Sequence, residues 1–313
     1  MITAKASPLQ KWIYASKIAS WPKIFVPFLF GHCTGASLTG NWHHLAFLCG
    51  LFSTLSFTLA IVYLNDFGDH KVDTIKRKLF PLSGSAKTIP DGILTQAALG
   101  KAGIGAVCLY LGIACVLTSY LHRPFFLPIC LLSVLVLHSY TFGWLRLNYR
   151  GGGEIFEMVG VGFLMPYSAA YLQSGLAWHS FYGVFLGGLP LAMSSALASG
   201  LSDEESDQVG GKTTFTTQWG NPWVRQAVLS CVPSGIAISL WMCSCYGGWH
   251  PALNVVPCLG ILHHWKKLHQ LAPKAVTRAY KYQKEFKYNL HLLLWKWQLA
   301  MSLLCLTSFL MWG

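Results

Sequence analysis

An all-α, multi-pass membrane bundle of about nine crossing helices is the fold class this sequence predicts, and three observations carry it. Mean hydropathy is +0.45 and only 11% of residues are charged, against about a quarter in soluble domains. Apolar runs of roughly 17–25 residues, the length a helix needs to cross the hydrocarbon core, recur near residues 18–38, 45–65, 97–120, 125–143, 154–173, 180–201, 224–244, 250–265 and 291–312. Every Lys and Arg except Arg123 lies in the N-terminal segment or in alternate connections between these runs. The positive-inside rule then places the N-terminus and the basic connections in the cytoplasm and the C-terminus on the other side. The net charge of +12, spread over short connections, fits attraction for anionic headgroups or an anionic substrate and gives nucleic acid no continuous surface.

Taken in order, residues 1–17 carry Trp12 and Tyr14 and suit a short interfacial helix. The first apolar run lacks a cleavable signal pattern and is expected to remain as a helix. Run two ends in Tyr63-Leu64-Asn65-Asp66-Phe67-Gly68-Asp69-His70-Lys71-Val72-Asp73. The connection 74–95 that follows, with Lys76-Arg77-Lys78, Ser83-Gly84-Ser85 and Pro90-Asp91-Gly92, is long and rich in turn residues, as a lid would be. A tight turn at His122-Arg123-Pro124 joins runs three and four. Run four leads into Arg146-Leu147-Asn148-Tyr149-Arg150 and three glycines, after which Glu154 and Glu157 open run five, placed to orient those arginines or to act as a base. Run six leads into Asp203-Glu204-Glu205-Ser206-Asp207 and on to Gly210-Gly211-Lys212. Residues 266–287 form a basic amphipathic stretch expected to lie along the cytoplasmic surface. Cysteines fall mostly inside apolar runs; Cys243 and Cys245 form the one close pair, for which buried apolar thiols are the simpler reading.

The acidic residues are few, 11 in all, and three of them stand at i, i+3 and i+7 as Asp66, Asp69 and Asp73. On a helix those three share an arc of about 60°. Like charges held that close repel and raise one another's pKa, so a cation is needed among them. Asp203 and Asp207, at i and i+4, repeat the pattern at another helix end. Two carboxylate clusters on facing helices suit a single divalent-metal site, and Mg²⁺ favours a few carboxylates together with water and phosphate oxygens. Lys212, Arg146 and Arg150, with Lys76 or Lys78, suit the outer charge of a diphosphate. The implied ligand is amphipathic, with its head at the cytoplasmic rim and an apolar tail within the bundle. An allylic cation left when the diphosphate departs needs shelter from water, and aromatic faces stabilise it; Tyr140 and Tyr149, with Tyr167 and Tyr171, are the candidates.

Asn65-Asp66-x-x-Asp69-x-x-x-Asp73 resembles the first aspartate-rich motif of the UbiA superfamily of intramembrane prenyltransferases, and Asp203-x-x-x-Asp207-x-x-x-Gly211-Lys212-x-Thr214 resembles the second. Arg146-Leu147-Asn148-Tyr149-Arg150-Gly151-x-Gly153-Glu154 is similar to a segment of the MenA-like branch, which prenylates dihydroxynaphthoate, as is Ile89-Pro90-Asp91-Gly92-Ile93-Leu94-Thr95. Ser199-Gly200-Leu201-Ser202 departs from the Asn-Asn-x-Arg run usual in that branch, and Arg146 replaces its lysine. The resemblance extends over nearly the whole chain and implies one prenyltransferase domain, residues 1–313, as an integral protein of a membrane such as the bacterial plasma membrane. It implies Mg²⁺ held by Asp66, Asp69, Asp73, Asp203 and Asp207. Asn65, Lys212, Arg146 and Arg150 would contact the diphosphate of an isoprenyl donor, and an aromatic or quinone-precursor acceptor would receive the prenyl group. A terpene cyclase of the same superfamily, working without an acceptor, is the rival within the enzyme class. From another class the rival is a lipid or ion transporter, against which both acidic clusters stand at the rim instead of the bilayer midplane.

Overall fold

Helices form at the apolar runs, and those at the second, sixth, eighth and ninth runs continue beyond them. The structure, a computed structural model, describes residues 6–81, 86–177, 179, 182–246 and 255–312. Ser83-Gly84-Ser85 of the expected lid and the side chains of Cys243 and Cys245 lie outside the described set. The described elements are α1 (Pro8–Ala15), α2 (Pro22–Thr39), α3 (His44–Leu79), α4 (Gln96–Tyr120), α5 (Phe126–Thr141), α6 (Leu147–Arg150), α7 (Gly153–Val159), α8 (Met165–Ser174), α9 (Tyr182–Leu186), α10 (Gly188–Val209), α11 (Phe215–Trp219), α12 (Asn221–Tyr246), α13 (Val255–Leu271) and α14 (Tyr280–Trp312). No strand occurs among the described residues.

Among the described residues, five helices are long and apolar enough to cross a membrane: His44–Leu79, Gln96–Tyr120, Gly153–Ser174, Asn221–Met242 and Tyr280–Thr307. Phe126–Thr141 is a shorter apolar helix. Large apolar side chains such as Leu48, Phe52, Ile104, Leu109, Leu135, Leu259 and Leu303 point outward, as a surface bathed in lipid requires.

Two packed groups build the bundle. One gathers α2, α3, α4, α5 and α8 around Phe28, Phe57, Tyr110 and Leu172. The other gathers α10 to α14 around Leu197, Leu201, Phe286, Leu290, Leu293 and Trp297. The α14 members recur at helical spacing, so one face of that helix is buried from Phe286 to Met301. The two groups meet where α2 packs on α14 and where α3 packs on α10. Gly31 permits the closest approach in the first group, because a Cβ there would overlap the Pro166 carbonyl of α8.

Helix ends differ from the sequence expectation in two places. Helix α3 runs through the whole acidic motif to Leu79, and its last turn carries Lys76, Arg77 and Lys78, which complement the negative end of the helix dipole. The basic stretch 266–287 is not a separate surface helix. It comprises the end of α13, a turn, and the start of α14, with Lys267 and Glu285 paired at 3.3 Å; both long helices extend past their apolar part.

Between α7 and α8 the chain stays helical through a π segment, Gly160–Leu164. Pro166 sits in the first turn of α8 and has no N–H to offer the preceding carbonyls, so the backbone ladder widens there.

Candidate functional site

The two acidic motifs come together on one cavity. Helix α3 presents Asp66, Asp69 and Asp73 from one face, and α10 presents Asp203 and Asp207 from across the gap. The cavity, about 100 Å³, is completed by Asn65, Val72, Ser206 and four lysines, Lys17, Lys76, Lys87 and Lys212. All five carboxylates expected at the site therefore line it, together with Asn65 and Lys212.

Lysines answer most of that negative charge. Lys17 pairs with Asp66, Lys87 with Asp73 and Lys76 with Asp203; Lys212 pairs with Asp69 at 2.9 Å. Thr88 also donates to Asp66 at 2.8 Å, and the Asn148 amide donates to Asp69 at 3.3 Å. Asp207 differs: its carboxylate has no hydrogen-bond or ion-pair partner among the described residues, although it is only 4% exposed. Burial lifts the Asp207 carboxyl to about 7, with Lys212 pulling the other way. Burial opposes the charge on Lys212, yet Asp69 and Asp207 more than offset it and hold that ammonium well above the ordinary lysine range. Among the described residues no three His, Cys, Asp or Glu side chains converge closely enough to make a ready metal cage. The carboxylates face one cavity but turn toward lysines.

Local sequence explains who arrives where. Lys17 stands at φ 49°, in the left-handed region, between α1 and the turn Ile18–Ser20; that conformation costs of order 1 kcal/mol and brings its side chain back onto α3. Segment 86–95 folds under α3, so that Lys87 and Thr88 reach Asp73 and Asp66. Asp91 fastens this segment by accepting from Arg77 at 2.7 and 2.8 Å, from Tyr14 at 2.5 Å and from the Lys87 backbone N–H at 3.2 Å. The α6 loop is tied to the second motif by an isolated parallel bridge between Arg150 and Thr213, with the Thr213 N–H donating to the Tyr149 carbonyl at 3.1 Å.

Other expected residues lie nearby but not in the carboxylate cavity. Arg146 and Arg150 are exposed at the rim. The Arg146 guanidinium covers the Tyr149 ring at 3.8 Å, with Lys212 5.2 Å from the same ring, so this aromatic face already serves protein cations. Of the alternative lysines, Lys76 enters the cavity and Lys78 is exposed. Tyr171 accepts from the Phe125 N–H at 3.1 Å, at the end of the bundle that holds the turn after α4, and Tyr167 packs beside it. Glu154 accepts from the Phe215 N–H at 2.8 Å and Glu157 pairs with Lys23; neither orients the arginines.

Sequence reasoning missed Lys17, Lys87, Thr88 and Asn148. In the sequence, Lys17 and Lys87 look like ordinary topology determinants, and only the fold reveals that they close the cavity.

A second cavity of about 270 Å³ adjoins the first, sharing Lys17 and Asn65 with it. Its walls come from α2, α3, α5, α7 and the π segment, chiefly Ile24, Phe57, Ile61, Val62, Val136, Leu137, Phe156, Val161 and Met165. Tyr140 lines it, as do Lys23 and Glu157. A charged chamber thus opens onto an apolar one.

Comparison with known proteins gives this arrangement a lineage. The family model described as UbiA prenyltransferase family matches residues 24–297. No curated protein matches the sequence significantly. Among solved structures, a UbiA homolog from Archaeoglobus fulgidus bound to DMAPP and Mg²⁺ superposes with a TM-score of 0.65 at 14% identity, over 96% of this chain and 98% of that one. The same homolog bound to GPP and Mg²⁺ gives 0.61 at 14% identity, with the same coverage. A structure concerned with digeranylgeranylglyceryl phosphate synthase in membranes gives 0.63 at 14% identity, covering 96% of this chain and 99% of the other.

Proposed function

Since this chain belongs to the UbiA prenyltransferase family, we propose that it moves an isoprenyl group from its diphosphate to an aromatic or quinone-precursor acceptor, with Mg²⁺ at the carboxylate cavity. The observation that carries the reading is the junction of the two cavities: five carboxylates and four lysines on one side, an apolar chamber on the other, with Lys17 and Asn65 at the boundary. Amphipathic isoprenyl diphosphates have that division. All nine apolar runs then cross the bilayer, the N-terminus and the charged cavity face the cytoplasm, and the catalytic unit takes in the whole chain. The Arg146–Glu154 and Ile89–Thr95 segments support a MenA-like acceptor, and a plasma membrane of bacterial type is the expected setting.

The donor set fits the metal. Asp66, Asp69, Asp73, Asp203 and Asp207 offer oxygen alone, which suits a hard divalent cation, and the buried, unpartnered Asp207 carboxylate is the one already free to bind. When bound, Mg²⁺ supplies positive charge against the diphosphate. The lysines then have a second use. Lys17, Lys76, Lys87 and Lys212, released from their aspartates, hold the phosphate oxygens as negative charge gathers on the leaving group. Asn65, whose side-chain carbonyl accepts from Thr141 at 2.8 Å, keeps its amide N–H₂ at the mouth of the chamber. Phe57, Ile61, Val136 and Leu137 exclude water from the allylic cation, and the Tyr140 ring is the aromatic face available to stabilise it. Arg146, Arg150 and Tyr149 act from the rim, where they draw and orient the anionic head.

The test is pyrophosphate release by the purified protein from geranyl, farnesyl and geranylgeranyl diphosphate, with and without Mg²⁺ and with dihydroxynaphthoate or hydroxybenzoate added. Metal-dependent release that needs an acceptor, and that Asp69→Asn abolishes, is the expected result. Release without acceptor, giving a cyclic product, would indicate a cyclase. No release from any donor would overturn the reading.

A further inference from the structure

The apolar chamber contains an ion pair that an isoprenyl tail does not need. Lys23, from the first turn of α2, meets Glu157 of α7 in its wall, with side chains 24% and 20% exposed. A charge pair set in a largely apolar cavity carries a desolvation cost, and hydrophobic replacements are often at least as stable. The pair stands on the same chamber as Tyr140 and Asn65, beside the place where the reactive end of a donor must lie. It is separate from the aspartates and lysines of the diphosphate chamber, since neither Lys23 nor Glu157 lines that cavity. Glu154, the other acid of this segment, is occupied by the Phe215 N–H, so Glu157 is the carboxylate that α7 gives to the chamber.

We propose that Lys23 and Glu157 form the acceptor's proton-accepting subsite, in which Glu157 is the general base for a ring hydroxyl and Lys23 holds the oxygen as it gives up that proton. This rests on the prenyltransferase reading and adds to it the groups that activate the acceptor. The donor C1–O bond breaks with its electron pair on the diphosphate, and a π pair of the acceptor ring forms the new C–C bond to C1. Glu157 takes the hydroxyl proton as that bond forms, leaving a neutral dienone. Return of a proton to the oxygen and loss of the ring proton restore aromaticity, so one proton and one diphosphate are released per turnover. No oxidant or reductant takes part. Lys23, paired with Glu157 at rest, faces the acceptor oxygen once Glu157 has taken the proton.

Glu157→Gln, Glu157→Asp and Lys23→Met are to be compared with the unaltered chain in detergent or lipid nanodiscs. Binding of the Mg²⁺–geranylgeranyl diphosphate complex is measured separately from transfer to hydroxybenzoate and dihydroxynaphthoate. Glu157→Gln is expected to bind the donor normally and to lose about 100-fold or more in kcat, the scale of a removed general base. Its residual rate rises with pH toward the hydroxyl's own ionisation, and more acidic fluorinated hydroxybenzoates restore it in part. Glu157→Asp regains part of the rate, and Lys23→Met raises the acceptor KM more than it lowers kcat. Wild-type kcat and pH profile in Glu157→Gln would overturn the proposal, as would loss of donor binding in that variant. Inactivity of the unaltered chain with every acceptor would instead overturn the prenyltransferase reading beneath it.

Discussion

Asp91 touches none of the five carboxylates, yet its loss is expected to reach the donor. Its carboxylate collects four hydrogen bonds, two from Arg77, one from Tyr14 and one from the Lys87 backbone. Through them it fixes α1 and residues 86–95 against α3, and those are the segments that deliver Lys17, Lys87 and Thr88. Hydrogen bonds to charged groups contribute about 1.5–3 kcal/mol each when well sheltered. Here the Arg77 and Asp91 side chains are each 18% exposed, which screens the ionic part, and Asn would keep one acceptor. Asp91→Asn should therefore lose about 2–3 kcal/mol of local stability in total. If about half of that is felt as loosening of segment 86–95, the donor KM rises about tenfold, since 1.4 kcal/mol is a factor of ten. The expected kcat is little changed, because the reacting groups are intact once the segment is captured. Donor titration of pyrophosphate release reads the KM, and limited proteolysis within 86–95, with and without donor, reads the loosening. A variant with wild-type KM and wild-type protease resistance would show that Asp91 does not hold the lysines in place.

Three further outcomes are expected. Mg²⁺ should bind more weakly as pH falls: the Asp207 carboxyl, near the end of α10, is lifted by burial to about 7, and protons compete with metal for an ionised ligand. Affinity by calorimetry should drop roughly tenfold between pH 8 and pH 6 with proton release on binding, and a pH-independent affinity would exclude Asp207 as a ligand. Replacing Lys212 by Met should weaken donor binding about 10- to 100-fold by removing a charge-assisted contact, with partial recovery in Lys212→Arg; unchanged donor affinity in equilibrium binding would refute the part given to Lys212. Glu204 accepts from Asn221, Thr277 and Gln283 at 2.8–2.9 Å and is buried, so Glu204→Ala takes the shared acceptor from three donors, of which the Asn221 and Gln283 amides keep one backbone carbonyl each, and should cost about 3 kcal/mol, seen as a lowered midpoint in thermal unfolding. An unchanged midpoint would mean water replaces the carboxylate.

Much of this molecule is legible in its sequence. Hydropathy locates the helices, and the spacing of Asp66, Asp69 and Asp73 places them on one face of α3, where they line one cavity. The facing of that cluster by Asp203 and Asp207 follows from reading two carboxylate clusters at helix ends as one site, although four separate lysines answer their charge in the structure. What stays hidden depends on where connections fold back. Lys17 and Lys87 belong to segments whose sequence specifies turns and nothing about direction. Helix α3 outruns its expected end because a helix need not stop where its apolar part stops; Lys76 enters the site only because the helix continues. Tyr149 has the right residue type for stabilising a cation, but Arg146 folds over it in a left-handed conformation, φ 37°, that no pattern announces. Glu154 and Glu157 stand in the sequence as an undivided pair, and one turn of helix sends them to different neighbours.

The π segment has a consequence for how the chamber can change. One residue more than an α-turn needs is stored at Gly160–Leu164, and Gly160 and Val161 are part of the chamber wall. Removing a single residue there would let the ladder close into α-helix and rotate everything upstream by about 100° relative to α8. Phe156 and Glu157 would swing away from the chamber together, while α8 kept its seat on Gly31 and Gly35 of α2. Chamber contents on this scaffold are thus adjustable by chain length as well as by side-chain identity: one codon lost would turn Phe156 and Glu157 out of the chamber.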